Sequence, residues 1–264
     1  MSALVHCDVQ GESSPAFVFL HGYTLDHTMW RQQVAMFQHD YMSIAVDIPG
    51  FGQSSLYSGH DIHEVAIRIR HTIKTYTQSK PYILCGLSMG GYLALEIAKC
   101  FPDDIERLII SNTESRSDSE DEKKKRDIFI QDILEKGSQN FLQSVAPLLT
   151  SQVTQAEQPH ITTSLLEKMQ TNSDDSLIFG LRMMRNRPDY REFSQKFTRP
   201  TLVIGGSDDQ LCSFSDIQDT VKNFAKGSLR IIDNTGHLTP MESPIEFNQA
   251  VHEFLQSDLS VPTT

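Results

Sequence analysis

The 264-residue chain reads as an α/β protein built around a mostly parallel sheet. Three observations carry that reading. Apolar runs of strand length alternate with segments of helical period, the runs end in short loops, and one long block between two strands is helical throughout. Alternation of this kind implies right-handed βαβ units with helices on both faces of the sheet. An open sheet of this type binds its ligand at the carboxyl ends of its strands, so the loops that follow strands are the informative ones.

The elements follow in order. Phe17 to Leu20 is a strand that ends in His21-Gly22, and residues 27–38 form a helix with Trp30, Val34 and Phe37 at i, i+4 and i+7. Ser43 to Val46 is a strand stopped by Asp47-Ile48-Pro49-Gly50-Phe51-Gly52. Residues 61–77 form a helix that gathers Ile62, Val65, Ile69 and Ile73 on one face. Tyr82 to Cys85 is a strand, Gly86 to Gly91 a turn, and Tyr92 to Phe101 a helix. Arg107 to Ser111, Thr201 to Ile204 and Leu229 to Ile232 are further strands, and Pro244 to Gln256 is the final helix. Between them, Phe141, Leu142, Val145, Leu148 and Leu149 recur at helical spacing, as do Leu177, Leu181 and Met184. Residues 114–198 therefore read as a helical lid (cap) over the strand ends, with 1–113 and 199–264 as the core.

Composition narrows the function. Hydrophobic residues make up 39% and charged residues 22%, an ordinary globular balance. With 23 basic and 34 acidic residues the net charge is −11, which repels a phosphate backbone. The basic run Lys123-Lys124-Lys125-Arg126 follows Glu120-Asp121-Glu122 and reads as a solvated helix start rather than a nucleic-acid patch. The 20 uncharged residues from Gly137 to Ala156 include four Gln, three Ser and a Pro, too polar to span a bilayer. The first residues have neither a basic nor an apolar signal region. Cys7, Cys85, Cys100 and Cys212 are widely spaced, which suits reduced thiols in the cytoplasm.

Chemistry concentrates after the strands. Gly86-Leu87-Ser88-Met89-Gly90 matches G-x-S-x-G, with an apolar strand entering and a helix leaving. In that setting the serine sits on a sharp, strained turn with its hydroxyl above the sheet, and glycines flank it because side chains there would clash. A serine hydroxyl needs a base to take its proton and a third group to orient that base. Of the histidines that follow Ser88, His160 lies in the lid block and His252 in the last helix, whereas His237 sits in the loop after Leu229 to Ile232. His237 has the right address. The acid should end the preceding strand, where Asp208 and Asp209 are both candidates and chemistry does not separate them. The oxyanion of a tetrahedral intermediate needs two backbone N–H donors, which nominates Met89 and Tyr23. His21 precedes the serine and reads as a residue that shapes its loop.

Other motifs carry less. His60-x-x-His63 lacks further ligands and reads as solvent-facing histidines. Gly50-Phe51-Gly52-Gln53-Ser54-Ser55 lacks the third glycine of a dinucleotide fingerprint, and no G-x-x-x-x-G-K-[ST] occurs. No metal or organic cofactor is expected.

His21-Gly22, Asp47-x-Pro-Gly-x-Gly, Gly86-x-Ser-x-Gly-Gly, Gly206-Ser207-Asp208-Asp209 and Gly236-His237 arrive in an order that resembles the α/β-hydrolase superfamily. That resemblance implies the α/β-hydrolase fold, with about eight strands, helices on both faces and a helical lid insert. It also selects Asp209, three residues after Gly206, as the acid. The Gly-Leu-Ser-Met-Gly-Gly elbow and the Tyr23 loop look most like small serine carboxylesterases and enol-lactonases. Leu87 stands where carbon–carbon bond hydrolases of this fold commonly have Asn.

The expected activity is hydrolysis of a small carboxylic ester, lactone or thioester through an acyl-enzyme. Ser88, His237 and Asp209 are the expected catalytic residues, and Phe179, Leu181 and Met184 the apolar substrate-binding residues. Arg182, Arg185 and Arg187 read as solvent-facing. The alternatives are acyl transfer or lyase chemistry at the same site, or a catalytically silent ligand-binding protein. The expected partner is a small-molecule ester, with neither nucleic acid nor membrane.

Overall fold

A computed structural model describes residues 4–59 and 61–257. The core begins with β1 (Cys7–Gln10), β2 (Ala16–Leu20), α1 (Arg31–Phe37), β3 (Met42–Val46), α2 (Ile62–Thr77), β4 (Tyr82–Leu87), α3 (Met89–Cys100) and β5 (Ile105–Ser111). Six helices follow without a strand: α4 (Glu120–Lys136), α5 (Gln139–Val145), α6 (Gln152–Glu157), α7 (Pro159–Met169), α8 (Asp174–Arg185) and α9 (Arg191–Lys196). The chain then returns to the core as β6 (Thr201–Gly206), α10 (Phe214–Lys222), β7 (Gly227–Ile232), α11 (Thr239–Glu242) and α12 (Pro244–Gln256). Among the described residues no helix is long and apolar enough to cross a membrane.

The sheet has seven strands in the order β1-β3-β2-β4-β5-β6-β7, against the expected eight or so. β1 runs antiparallel to β3, and the other pairs are parallel. The short half-buried run Cys7–Gln10 has no apolar pattern and escapes a sequence reading, as does α10. β2, β4 and β6 are buried along their whole length, which is why they read as unbroken apolar runs.

Strand order fixes where a site can form. From β2 the chain moves outward to β3, then returns across β2 to β4 and continues the other way. The loops after β2 and β4 therefore diverge at a topological switch point, opening a crevice at the carboxyl ends of these neighbours. Right-handed crossovers in opposite directions place α1 and α3 on opposite faces. An aromatic layer shows the packing on the α1 side: Phe19 lies 5.3 Å from Trp30, and Trp30 lies 6.0 Å from Phe247 of α12.

The helical block starts as its charges suggest. Ser119 and Glu122 form a capping box, and Arg116 pairs with Glu122, so the acidic residues sit at the positive end of α4. The expectation for Arg187 is overturned. Its guanidinium is fully buried, pairs with Glu114 and Asp118, and stacks 4.0 Å from the Tyr92 ring of α3. Two carboxylates and an aromatic face replace the water that an arginine fork otherwise needs. Arg182 is exposed, and Arg185 pairs with Asp127 at the surface.

The switch point leaves no room for a side chain at Gly90, in the first turn of the helix that leaves β4. A Cβ on Gly90 would lie 2.2 Å from the Leu20 carbonyl oxygen and 2.6 Å from that of His21. Gly90→Ala is expected to cost about 2 kcal/mol or more, since backbone atoms must move apart. Gly137→Ala, at φ +76° and ψ 168° but with only Asp174 at 3.7 Å, should cost about 1–3 kcal/mol from backbone strain, with no clash to add to it. Denaturant midpoints of the two variants check both costs.

Candidate active site

Ser88 joins β4 to α3 at φ +53° and ψ −115°, a region that a residue with a side chain enters only under strain. Its hydroxyl does not cap the helix that it begins. The turn closes because Gly86 faces Gly90: a Cβ on Gly86 would meet the Gly90 carbonyl oxygen at 2.3 Å. Gly91 similarly admits Thr113, whose Oγ1 would stand 2.1 Å from a Cβ. The elbow is thus held between β2, β4 and the end of β5.

Met89 is the first residue of α3, so its N–H has no partner inside the helix. The loop after β2 lies directly alongside. A Cβ on Gly22 would fall 2.7 Å from Leu87 Cδ2 and 3.9 Å from Ser88 Cβ. That contact brings Tyr23 next to the elbow. His21 shapes the loop with both ring nitrogens: Nδ1 donates to the Gly22 carbonyl at 2.8 Å, and Nε2 accepts the Ile48 N–H at 2.9 Å. Because Nε2 accepts, the buried ring is neutral. Burial holds its pKa below the ordinary histidine value, against smaller opposing pulls from Gly22 and Asp47.

His237 and Asp209 meet at the ends of β7 and β6. His237 Nδ1 lies 2.8 Å from Asp209 Oδ2 and 3.0 Å from Oδ1. The Asp208 carboxylate is exposed and accepts from Ser207, so geometry separates the two aspartates. Asp209 is further held by the Leu211 and Cys212 N–H groups and by Asn112 Nδ2. Burial raises its pKa, but His237, Asn112 and the Leu211 N–H outweigh that and leave the carboxyl below its usual range. His160 and His252 are exposed on α7 and α12.

Two residues that sequence reasoning passed over hold this pair. Asn112, at φ +48° after β5, donates to Asp209 Oδ2 at 2.9 Å and to the Gly236 carbonyl at 3.1 Å, while its Oδ1 accepts from Ser111 and Thr239. Glu242 is a buried carboxylate that accepts the N–H groups on both sides of His237, Gly236 and Leu238, each at 3.0 Å. It also accepts the Ser151 N–H and the Thr154 hydroxyl from the helical block, both at 2.8 Å. The only sequence signal is a glutamate in an apolar turn before Pro244, which says nothing of its partners.

The block reaches the site from above. Tyr23 Oη donates to the Leu177 carbonyl at 2.8 Å, and its ring faces Gly180, where a Cβ would clash at 2.6 Å. Phe179, Leu181 and Met184 are all buried on α8. Phe179 packs by Gly50, and Met184 Sδ accepts from Arg126 of α4. His63 faces solvent as its sequence reading has it, with its side chain half exposed, and its Nδ1 lies 3.1 Å from Glu96 Oε1. His60 lies outside the described residues.

Two outcomes follow from these contacts. Glu242→Gln leaves at least one buried N–H without an acceptor and is expected to cost about 2 kcal/mol or more, read from denaturant unfolding. His21 refuses a proton that the unfolded chain accepts near pH 6.5, so stability falls as pH drops below that value. Unfolding measured at about pH 7 and about pH 5 should show a smaller loss in His21→Gln than in the parent.

Comparison with known proteins agrees with this architecture. A family model described as the alpha/beta hydrolase fold matches residues 15–244. The chain is 25% identical over 243 residues to 3-oxoadipate enol-lactonase 2 of Acinetobacter baylyi, covering 92% of this chain and 89% of that one. It is 26% identical over 264 residues to the pimeloyl-[acyl-carrier protein] methyl ester esterase of Vibrio parahaemolyticus, covering 97% of this chain and 100% of that one. Among solved structures, a thermophilic esterase from Thermogutta terrifontis with malate bound superimposes with a TM-score of 0.91 at 25% identity, covering 95% and 92% of the two chains. An enol-lactonase from Burkholderia xenovorans gives 0.87 at 21% identity, covering 96% of each. With the family model spanning most of its length, the chain belongs to the α/β-hydrolase fold family.

Proposed function

We propose that the protein is a serine hydrolase of small carboxylic esters, lactones and thioesters included. Ser88 Oγ attacks the acyl carbon while His237 takes its proton; His237 then returns that proton to the leaving oxygen or sulfur. Asp209 orients the imidazole and stabilises its charged form. The Met89 and Tyr23 amides bind the oxyanion, each such donor being worth ~100–1,000-fold in turnover. Water, activated by His237, then attacks the acyl-enzyme, releasing the acid and free Ser88. No step calls for a metal or organic cofactor.

The observation that carries the proposal is the 2.8 Å contact of His237 with a buried, ionised Asp209 at the carboxyl end of the sheet, the end at which β4 runs into the strained Ser88 turn. An aspartate held this way fixes the Nδ1–H tautomer, leaving Nε2 basic. The relatives, an enol-lactonase and a methyl ester esterase, support an ester-type bond as the target. Phe179, Leu181 and Met184 are proposed to set the acyl preference from the lid formed by residues 114–198. The net charge of −11 suits a small-molecule substrate rather than nucleic acid, and the cytoplasm is the proposed compartment for a chain with four unpaired cysteines.

A fluorophosphonate probe and p-nitrophenyl esters of increasing acyl length test the reading. The parent protein should label on Ser88 and turn over the esters, with Ser88→Ala silent in both assays. His237→Gln should lose ~1,000-fold or more in kcat. Labelling without ester turnover would redirect the substrate search to lactones or to acyl transfer, and the absence of both would overturn the proposal in favour of a binding protein.

A further inference from the structure

Two groups of ligand-type side chains lie apart from Ser88 among the described residues: His6, His27 and Asp47, and His63, Glu96 and Cys100. In the first, Asp47 is saturated. Oδ1 accepts the His27 backbone and ring N–H, and Oδ2 accepts from the His6 ring and the Gln53 backbone. Backbone N–H groups cannot give up their protons to make way for a cation, so that cluster is a loop anchor.

The second group is built differently. Glu96 and Cys100 stand four residues apart on one face of α3, and α2 packs against α3 to bring His63 over them. His63 Nδ1 lies 3.1 Å from Glu96 Oε1 and 3.4 Å from Cys100 Sγ, and Cys100 Sγ lies 3.2 Å from the same Oε1. The two protons inside this triangle, on imidazole and thiol, are both removable. Glu96 is buried with its side chain 3% exposed, whereas His63 is 50% exposed, so the cluster has a dry floor and a mouth open to water. A buried carboxylate needs compensating charge, and Lys99 meets its other oxygen only at a long 3.5 Å.

We propose that His63, Glu96 and Cys100 bind one zinc-class divalent cation, with solvent water as the fourth ligand. Three ligands at about 2.0–2.3 Å from a tetrahedral ion stand roughly 3.3–3.8 Å apart, a small expansion of the triangle seen here. The nitrogen, sulfur and single carboxylate donors favour zinc over magnesium or calcium. On binding, the thiol proton passes to water and the imidazole proton moves by way of water from Nδ1 to Nε2, leaving the ring neutral with Nδ1 free to coordinate; thiolate and carboxylate then neutralise the ion, and no redox change occurs. The ion ties α2 to the carboxyl-terminal end of α3. At about 1.5 Å per residue, Cys100 is about 18 Å along the helix from Ser88, so the site is separate from the proposed chemistry.

Metal-stripped protein titrated with Co2+ and then Zn2+ tests the proposal. One equivalent of Co2+ should produce a thiolate-to-cobalt absorption band that Zn2+ abolishes, and Zn2+ should raise the melting temperature. Cys100→Ser should lose the band, while Cys7→Ser and Cys212→Ser keep it. Glu96→Gln and His63→Ala should each weaken Zn2+ binding about tenfold or more. Fluorophosphonate labelling of Ser88, expected to be unchanged in Cys100→Ser, reports that the variant is folded, and circular dichroism reports it independently of the proposed hydrolase activity. A band that survives Cys100→Ser, or no saturable uptake by the parent protein, would overturn the assignment.

Discussion

The strained backbone of Ser88 is the constraint on which the rest of the site depends. At φ +53° and ψ −115° it costs of order 1–3 kcal/mol, and neighbours on every side must hold it there. The carbonyl oxygens of Leu20 and His21 press against Gly90, the Gly90 carbonyl against Gly86, and Thr113 against Gly91. Each of these approaches is closer than a Cβ permits. The glycines are therefore a packing requirement of three adjacent strand ends as much as a property of one turn. Moving any of β2, β4 or β5 would relax the elbow.

A second layer of constraint lies in polar groups that are buried and fully partnered. Asp209 is ionised below its ordinary range although buried, because His237, Asn112 and backbone N–H groups face it together. Asn112 links that carboxylate to the Gly236 carbonyl, so the acid and the histidine loop share one amide. Glu242 then grips the loop from the opposite side, at Gly236 and Leu238. Satisfied networks of this kind rigidify, and a half-satisfied one would be worse than an apolar core.

Much of this was legible in the chain, for identifiable reasons. Buried parallel strands are unbroken apolar runs, so β2, β4 and β6 announce themselves, and Pro244–Gln256 is bounded as its period suggests. The Ser88 turn is readable because its chemistry demands small neighbours at fixed spacing. Between Asp208 and Asp209, residue chemistry alone is silent, since both occupy one loop and differ only in which way the carboxylate turns. Family order favours Asp209, and in the structure that carboxylate is the one on His237. β1 was missed because a half-buried edge strand of four residues has no pattern. Arg187 was misplaced because burial of a guanidinium depends on Glu114, Asp118 and Tyr92, all distant in sequence. Asn112 and Glu242 were invisible for the same reason: one polar residue has no periodicity.

Among the ties between the helical block and the core, two reach the loops that flank the Ser88 turn and His237. On one side, segment 149–154 gives the Leu149 carbonyl to the His237 N–H, the Ser151 hydroxyl to the Asn234 carbonyl, and the Ser151 N–H and Thr154 hydroxyl to Glu242. Hydrogen bonds to an ionised group are worth roughly twice neutral ones, so this side is strongly held. On the other side, Tyr23 donates to the Leu177 carbonyl, Asn172 donates to the Thr24 carbonyl, and Lys168 of α7 pairs with the buried Asp26 carboxylate in the same loop. Each side of the block therefore has a contact to a buried carboxylate of the core, Glu242 beside the histidine loop and Asp26 in the loop after β2. The attachment at segment 149–154 also holds the loop that carries His237, because Glu242 and the Leu149 carbonyl both accept from it.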